Sequence, residues 1–321
     1  MAFSEQHLKR DTKALADSVL EVQRLAQTVK GEAGKTGSSE ATRNLPQLPI
    51  EVWENVIDHL WNDQWTLRRC RLVCRAWYSP SRFHLDQWVD INNGVQGVKA
   101  YARMLKQTPE LSKRAREMSI LGSMYAGENR LVDLSALSMA AILLARKLPR
   151  LDLLKIRNTE WKPWTMHIDI FLHLSAFSVT RLDLHGVTFP SITVFGRLVC
   201  ALRGLVELEC CDLEFIHDYF DHDTFDLYHN RVSIRFLTLG DALMGSEKLM
   251  DFLAHPCISS RLQRLNIDDS PLAAELQHQW KYKQLLDAVS GSLPELQLVL
   301  PYSGQQTHAE VSAAGVHSKF M

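Results

Sequence analysis

The sequence has no long hydrophobic run, almost no net charge, few cysteines and none of the glycine-framed motifs that mark a catalytic centre. Its longest apolar stretch, Met139–Ala145, is seven residues, far short of the ~20 needed to cross a bilayer as a helix, so no membrane partner is expected. A net charge of −1 over 321 residues provides no overall field toward nucleic acid, which is not expected as a partner either. The six cysteines (Cys70, Cys74, Cys200, Cys210, Cys211 and Cys257) lie in apolar or helical contexts with no signal peptide before them. That predicts free thiols in a reducing compartment, cytoplasmic or nuclear. No serine nucleophile elbow, two-cysteine redox pair or glycine-rich dinucleotide turn is present, so neither catalysis nor a bound cofactor is expected.

Two further segments suggest ligands and fail on context. Gly31-Glu-Ala-Gly34-Lys35-Thr36 approximates a phosphate-binding loop, but the position that requires the first glycine holds Val29, and no strand precedes it. The stretch His217-Asp218-Tyr-Phe-Asp221-His222-Asp223-x-x-Asp226-x-x-His229 is dense in metal-binding residue types, and on a helix His217 and Asp221 would share a face. Its spacing matches no metal motif, and an acidic surface loop accounts for it better, so no metal is assigned.

Leu48–Trp77, LPIEVWENVIDHLWNDQWTLRRCRLVCRAW, carries more apolar surface than so short a segment can hide. Ile50, Trp53, Ile57 and Leu60 follow one helical face, with Val52 and Val56 as a second stripe. Pro49 suits the first turn, Asn62 and Asp63 can cap a second helix around Trp65–Arg71, and a third starts at Val73–Trp77. Three short helices of this size need a partner, metal or disulfide for security, and the surplus apolar surface points to a partner.

These residues resemble the F-box, the adaptor-binding module of cullin-based (SCF-type) ubiquitin ligases. The resemblance rests on Leu48-Pro49-Ile50-Glu51, then Ile57 and Leu60, then Leu67, then Val73-Cys74-Arg75-x-Trp77, and covers roughly Leu45–Leu85. It implies that Leu48, Pro49, Ile57, Leu60, Leu67, Val73, Cys74 and Trp77 contact the adaptor subunit and, through it, reach a cullin. Trp53, Trp61 and Trp65 are not standard family positions.

The remainder repeats apolar-x-x-apolar-x-apolar at Ala115/Met118/Ile120, Leu151/Leu154/Ile156, Val179/Leu182/Leu184, Leu205/Leu208/Cys210, Ile234/Leu237/Leu239, Leu262/Leu265/Ile267 and Leu293/Leu296/Leu298. Middle positions 118, 154, 182, 208, 237, 265 and 296 are 36, 28, 26, 29, 28 and 31 residues apart, room for one strand and one helix each. Helical periodicity fills the gaps at Val95–Lys106, Leu134–Lys147, Met166–Ser175, Ser191–Ala201, Glu247–Ala254 and Trp280–Ser290. The pattern resembles a degenerate leucine-rich repeat array, lacking in most copies the asparagine or cysteine that closes each strand. The expected fold class is therefore α/β: a short three-helix F-box bundle followed by an irregular leucine-rich-repeat-like solenoid, a parallel sheet with outer helices. A doubly wound α/β domain is the rival.

The expected organisation is an amphipathic helix over 1–30, with a heptad of Leu8, Leu15, Val22 and Val29 that fits a solvated helix better than a coiled coil, and a linker over 31–44. The F-box-like segment (45–90), the array (91–302) and a disordered tail (303–321) follow. Strand alternation puts Ser119, Lys155, Asp183, Glu209, Thr238, Asn266 and Gln297 in one ligand-facing row, and Leu153, Arg181, Glu207, Phe236, Arg264 and Glu295 beside it. Arg181, Phe236 and Arg264 are the candidates for contact with a protein substrate, because arginine and aromatics dominate interface hot spots. The whole reads as the substrate receptor of a ubiquitin ligase, the alternative being an interaction scaffold that delivers no target.

Overall fold

The structure is a computed structural model and describes residues 49–122, 132–226, 232–240, 247–268, 283–290, 295–299 and 311–312. The chain divides into two compact units, Met1–Trp53 and Glu54–Met321. Of the first, only 49–53 are described, so the heptad, the linker and the Gly31–Thr36 segment lie outside the described residues. Pro49 accepts a hydrogen bond from the Val52 N–H at 3.0 Å and opens helix α1, Ile50–His59.

In the second unit, α2 (Gln64–Cys70) starts where Asp63 caps it, accepting from the Thr66 N–H at 2.9 Å and from the Thr66 hydroxyl at 2.6 Å. These bonds satisfy one of the amides that a helix start leaves unpaired. Helix α3 covers Arg75–Leu85 and is tied to α1 by His84 Nε2 against Asp58 Oδ1 at 2.7 Å. Ile57, Leu67 and Cys70 fill the space among these helices.

The first strand, β1 (Trp88–Ile91), begins before residue 90, the last of the segment assigned to the F-box. The sequence pattern missed it because a single four-residue strand carries too few alternations to register. After it come α4 (Gly94–Gln107), α5 (Leu111–Arg114), β2 (Glu117–Leu121), β3 (Val132–Asp133), α6 (Ser135–Leu144), β4 (Leu153–Glu160), α7 (Ile170–Leu174), β5 (Arg181–Ser191) and α8 (Ile192–Ala201). The chain continues with β6 (Glu207–His217), α9 (His222–Asp226), β7 (Phe236–Leu239), α10 (Glu247–Ala254), α11 (Pro256–Ser259), β8 (Arg264–Asp268), α12 (Lys283–Val289), β9 (Glu295–Val299) and β10 (Val311–Ser312). Ser191, the expected start of a helix, caps α8 by accepting from the Val194 N–H at 3.3 Å.

Eight strands, β1, β2 and β4 to β9, lie side by side in sequence order and run parallel. A doubly wound domain reverses its strand order part-way; this sheet never does. Parallel crossovers are right-handed almost without exception, so an unreversed order puts all the helices on one face. The helices accordingly pack as one layer: α4 on α6, α6 on α7, α7 on α8, α8 on α10 and α10 on α12. Beyond β9 the tail read as disordered contributes Val311–Ser312, which pairs antiparallel to the β9 edge.

The middle residues of the repeat are the register itself. Met118, Leu154, Leu182, Leu208, Leu237, Leu265 and Leu296 are direct cross-strand partners, and the first six are at most 1% exposed. The strands β4 to β6 run well past the triplet, which the sequence did not indicate. At matching register Asn158, Gly186 and Asp212 adopt positive φ of 52°, 63° and 52°, the conformation that glycine, asparagine and aspartate tolerate best. Past that bend a second buried ladder of Thr159, Val187 and Leu213 forms. Beside it rings pack from Trp161 to Phe189 (6.0 Å, tilted), Phe189 to Phe215 (6.1 Å, stacked) and Phe195 to Phe252 (5.6 Å, edge-on).

Leu208→Ala, mid-array, should lower the unfolding free energy in urea by about 2–5 kcal/mol, the range for a leucine removed from a filled core. Lys155→Ala, on the open face two strands away, should cost no more than about 1 kcal/mol.

Candidate functional site

Two surfaces are available to partners, one on the N-terminal helices and one on the open face of the sheet. The residues expected to touch an adaptor separate into distinct environments. Ile57 and Leu67 are 0% exposed: they hold the helices together and are closed to direct contact with anything outside. Leu60 and Trp77 are half-buried, Pro49 and Cys74 exposed, and Val73 is 62% exposed. Leu48 lies outside the described residues. Val56, at 46% exposure, and Leu72, at 78%, were not among the expected contacts. Leu72 falls in the turn after α2, where no helical period singles it out, although its place next to Val73 was a usable signal. Trp61 and Trp65 are both exposed, and the Arg69 guanidinium sits 4.4 Å above the Trp65 ring. Ile50 and Val52 are likewise exposed in the first turn of α1.

On the sheet, the two expected rows are strand partners as read: Leu153, Arg181, Glu207, Phe236, Arg264 and Glu295 in one, and Ser119, Lys155, Asp183, Glu209, Thr238, Asn266 and Gln297 in the other. Glu117 extends the first row on β2, and Trp88 and Asp90 on β1 continue both; the sequence reading began the first row two strands too late and the second one strand too late. Arg181, Phe236 and Arg264 share a row. Neighbouring strands are ~4.8 Å apart, so Arg181 lies two strands, or roughly 10 Å, from Phe236. Arg264 lies over the Phe236 ring at 5.6 Å. Arg181 is held by Asp152, with Nη2 at 2.9 Å and Nε at 3.2 Å from Oδ2.

The middle of this face is crowded with charge. Lys155 pairs with Glu117 at 2.7 Å, and Arg157 with Asp183 at 2.8 Å. Burial works against the Arg157 charge, but Asp183, Glu209 and Glu117 outweigh it and raise the guanidinium pKa. The Glu209 carboxyl is pushed above its ordinary range by burial and by Asp183 and Glu207, against the opposing pull of Arg157 and Lys155. Carboxylates gathered this closely oppose one another's ionisation.

Cys210 and Cys211 lie inside β6 rather than at a strand end, because the strand continues to His217. Cys210 points into the core, where burial raises its thiol pKa well above normal. Cys211 faces outward, and a Cβ at Gly240 would come within 2.4 Å of its sulfur, so any larger residue there requires the Cys211 side chain to shift.

The histidine-rich stretch is not one helix. His217 ends β6, Asp221 accepts from the Thr224 hydroxyl at 2.6 Å at the start of α9, and His222 packs edge-on against Phe220 at 4.3 Å. His217 and Asp221 therefore do not share a helix face. The alternation of Glu207–His217 continues a strand past the point where a helical period was assumed. Among the described residues no group of three histidine, cysteine or acidic side chains could hold a metal, and His229 lies outside them. Among the same residues no helix is long and apolar enough to cross a membrane.

Compared with known proteins, the chain matches no family model and no curated relative.

Because the folded-state pKa of Glu209 is raised, its protonation stabilises the native state below the ordinary glutamate pKa of ~4.3, and that stabilisation is lost as pH rises through the raised value. Glu209→Gln should therefore melt about 1–3 °C above the parent at pH 7. The gap should close toward pH 4, as paired thermal melts at the two pH values would show.

Proposed function

We propose that this chain is the substrate-recognition subunit of a cullin-based ubiquitin ligase, with the N-terminal helices docking as an F-box on the adaptor and the leucine-rich-repeat-like array holding the target. One observation carries the reading. The helices close around Ile57, Leu67 and Cys70, yet leave Val56, Leu72 and Val73 in solvent, within the segment whose residue order resembles the docking motif. Water-exposed aliphatic side chains on so short a helical segment are costly unless something covers them.

The open sheet face supplies the complementary half. Its rows of mixed charge around Phe236 and Arg264 offer an extended surface suited to a protein rather than a small molecule. Under this reading the chain makes and breaks no bonds itself. It raises the effective concentration of the target beside the conjugating enzyme, in the cytoplasm or nucleus.

Leu72→Glu combined with Val73→Glu should reduce capture of a purified recombinant adaptor by at least about thirtyfold, the loss expected when hot-spot contacts worth ≥ 2 kcal/mol go. The thermal midpoint should stay within about 2 °C of the parent, since both side chains are exposed. Unchanged capture would sink the docking assignment. Ubiquitin transfer in a reconstituted ligase then separates a receptor from a scaffold that engages the adaptor without delivering a target.

A further inference from the structure

The helix layer carries a surface that the proposed function does not use. Between α4 and α6 runs a groove of about 480 Å³, with Ala102 and Leu143 on its floor and Lys99, Arg103, Lys106 and Lys147 on its rim. Ala102 is 7% exposed, whereas all four cations are exposed. Among the described residues none of these cations forms an ion pair.

The charge here is lopsided. The chain has 37 acidic residues against 36 basic ones, yet neither Gly94–Gln107 nor Ser135–Arg150 contains a single aspartate or glutamate. Lys99, Arg103 and Lys106 recur at steps of four and three along one face of α4, and like charges at that spacing weaken a helix. The arrangement thus works against the stability of the element that bears it, and attraction to an anionic partner would offset that.

We propose that this groove docks an acidic amphipathic helix of a partner protein. The floor accepts aliphatic side chains, while cations on both flanking helices meet carboxylates on either side of the apolar stripe, the helix-in-groove mode of peptide recognition. A nucleic-acid backbone would satisfy the rim but leave the apolar floor without a partner. A lipid surface would need apolar side chains projecting beyond the cations, and here they lie beneath them.

The test uses the full chain and a fluorescein-labelled synthetic peptide of about 18 residues, long enough to hold a helix, with leucine at i, i+3, i+4 and i+7 steps and glutamate elsewhere. Fluorescence anisotropy should show saturable binding. Raising the salt concentration, or introducing Lys99→Glu, Lys106→Glu and Lys147→Glu together, should weaken it at least about tenfold. The corresponding triple change to glutamine should fall between parent and charge reversal, and it carries the test if the glutamate variant does not fold. Equal binding of a peptide with the same composition but scrambled leucines overturns the proposal. So does binding unaffected by either triple variant, or tighter capture of a labelled DNA duplex or of phosphatidylserine vesicles at the same residues.

Discussion

Everything in the larger unit depends on one row of side chains being in register. Leu154, Leu182, Leu208, Leu237 and Leu265 come from strands 26 to 29 residues apart in sequence, yet each lies directly opposite the next. A shift of one residue on any strand would turn its apolar set toward water and its charged set toward the helices. Burying a leucine stabilises by roughly 1.5–3 kcal/mol, and each strand contributes two or three such residues, so a slipped strand forfeits several kcal/mol at once. Against that, the ion pairs on the open face matter little, since exposed pairs are worth about 0–1 kcal/mol. The apolar ladder sets the register, and Glu117–Lys155 and Arg157–Asp183 form because it brings them together.

That hierarchy explains what could be read from the residues alone. The triplets were legible because burial on one face imposes a strict two-residue alternation, and the helices between them because packing on a sheet imposes the longer helical period. Glu247–Ala254 matches its expected bounds, and the helix expected over Ser191–Ala201 forms over Ile192–Ala201 with Ser191 as its cap. The bend at Asn158, Gly186 and Asp212 was not legible. Each is an ordinary polar or small residue in sequence, and only side-by-side placement reveals that all three adopt left-handed backbone at one level. The ring cluster behind them was hidden for the same reason: Trp161, Phe189 and Phe215 belong to different repeats and meet only once the strands are aligned.

The N-terminal helices show the limit of a motif as a guide to contact. Sequence order brought Ile57, Leu67 and Val73 into one group, although two are enclosed and one stands in water. Residue order cannot separate a side chain that shapes a surface from one that is the surface, because both are apolar and both are needed. Exposure separates them: Val56, Leu72 and Val73 are the side chains that stand in solvent. The Asp63 cap and the His84–Asp58 contact fix the helix that carries Val56 and those that flank the turn of Leu72 and Val73. The exposed apolar groups therefore sit on a formed scaffold, which lowers the ordering entropy that covering them would cost.

Strand alternation also separates what holds the array together from what it presents. The residues facing the helices are constrained by volume, since a cavity or an overpacked site costs several kcal/mol. The residues facing away, such as Arg181, Glu207, Phe236 and Arg264, answer only to their neighbours across the strands. Their identities can change with little effect on the register, as long as like charges do not crowd. Glu209 marks where that condition is strained: Asp183 and Glu207 oppose its ionisation, and Arg157 and Lys155 only partly relieve it. Protonating or removing the Glu209 carboxylate relieves that repulsion, so on the open face it is charge, and on the helix-facing side volume, that limits what the strands can carry.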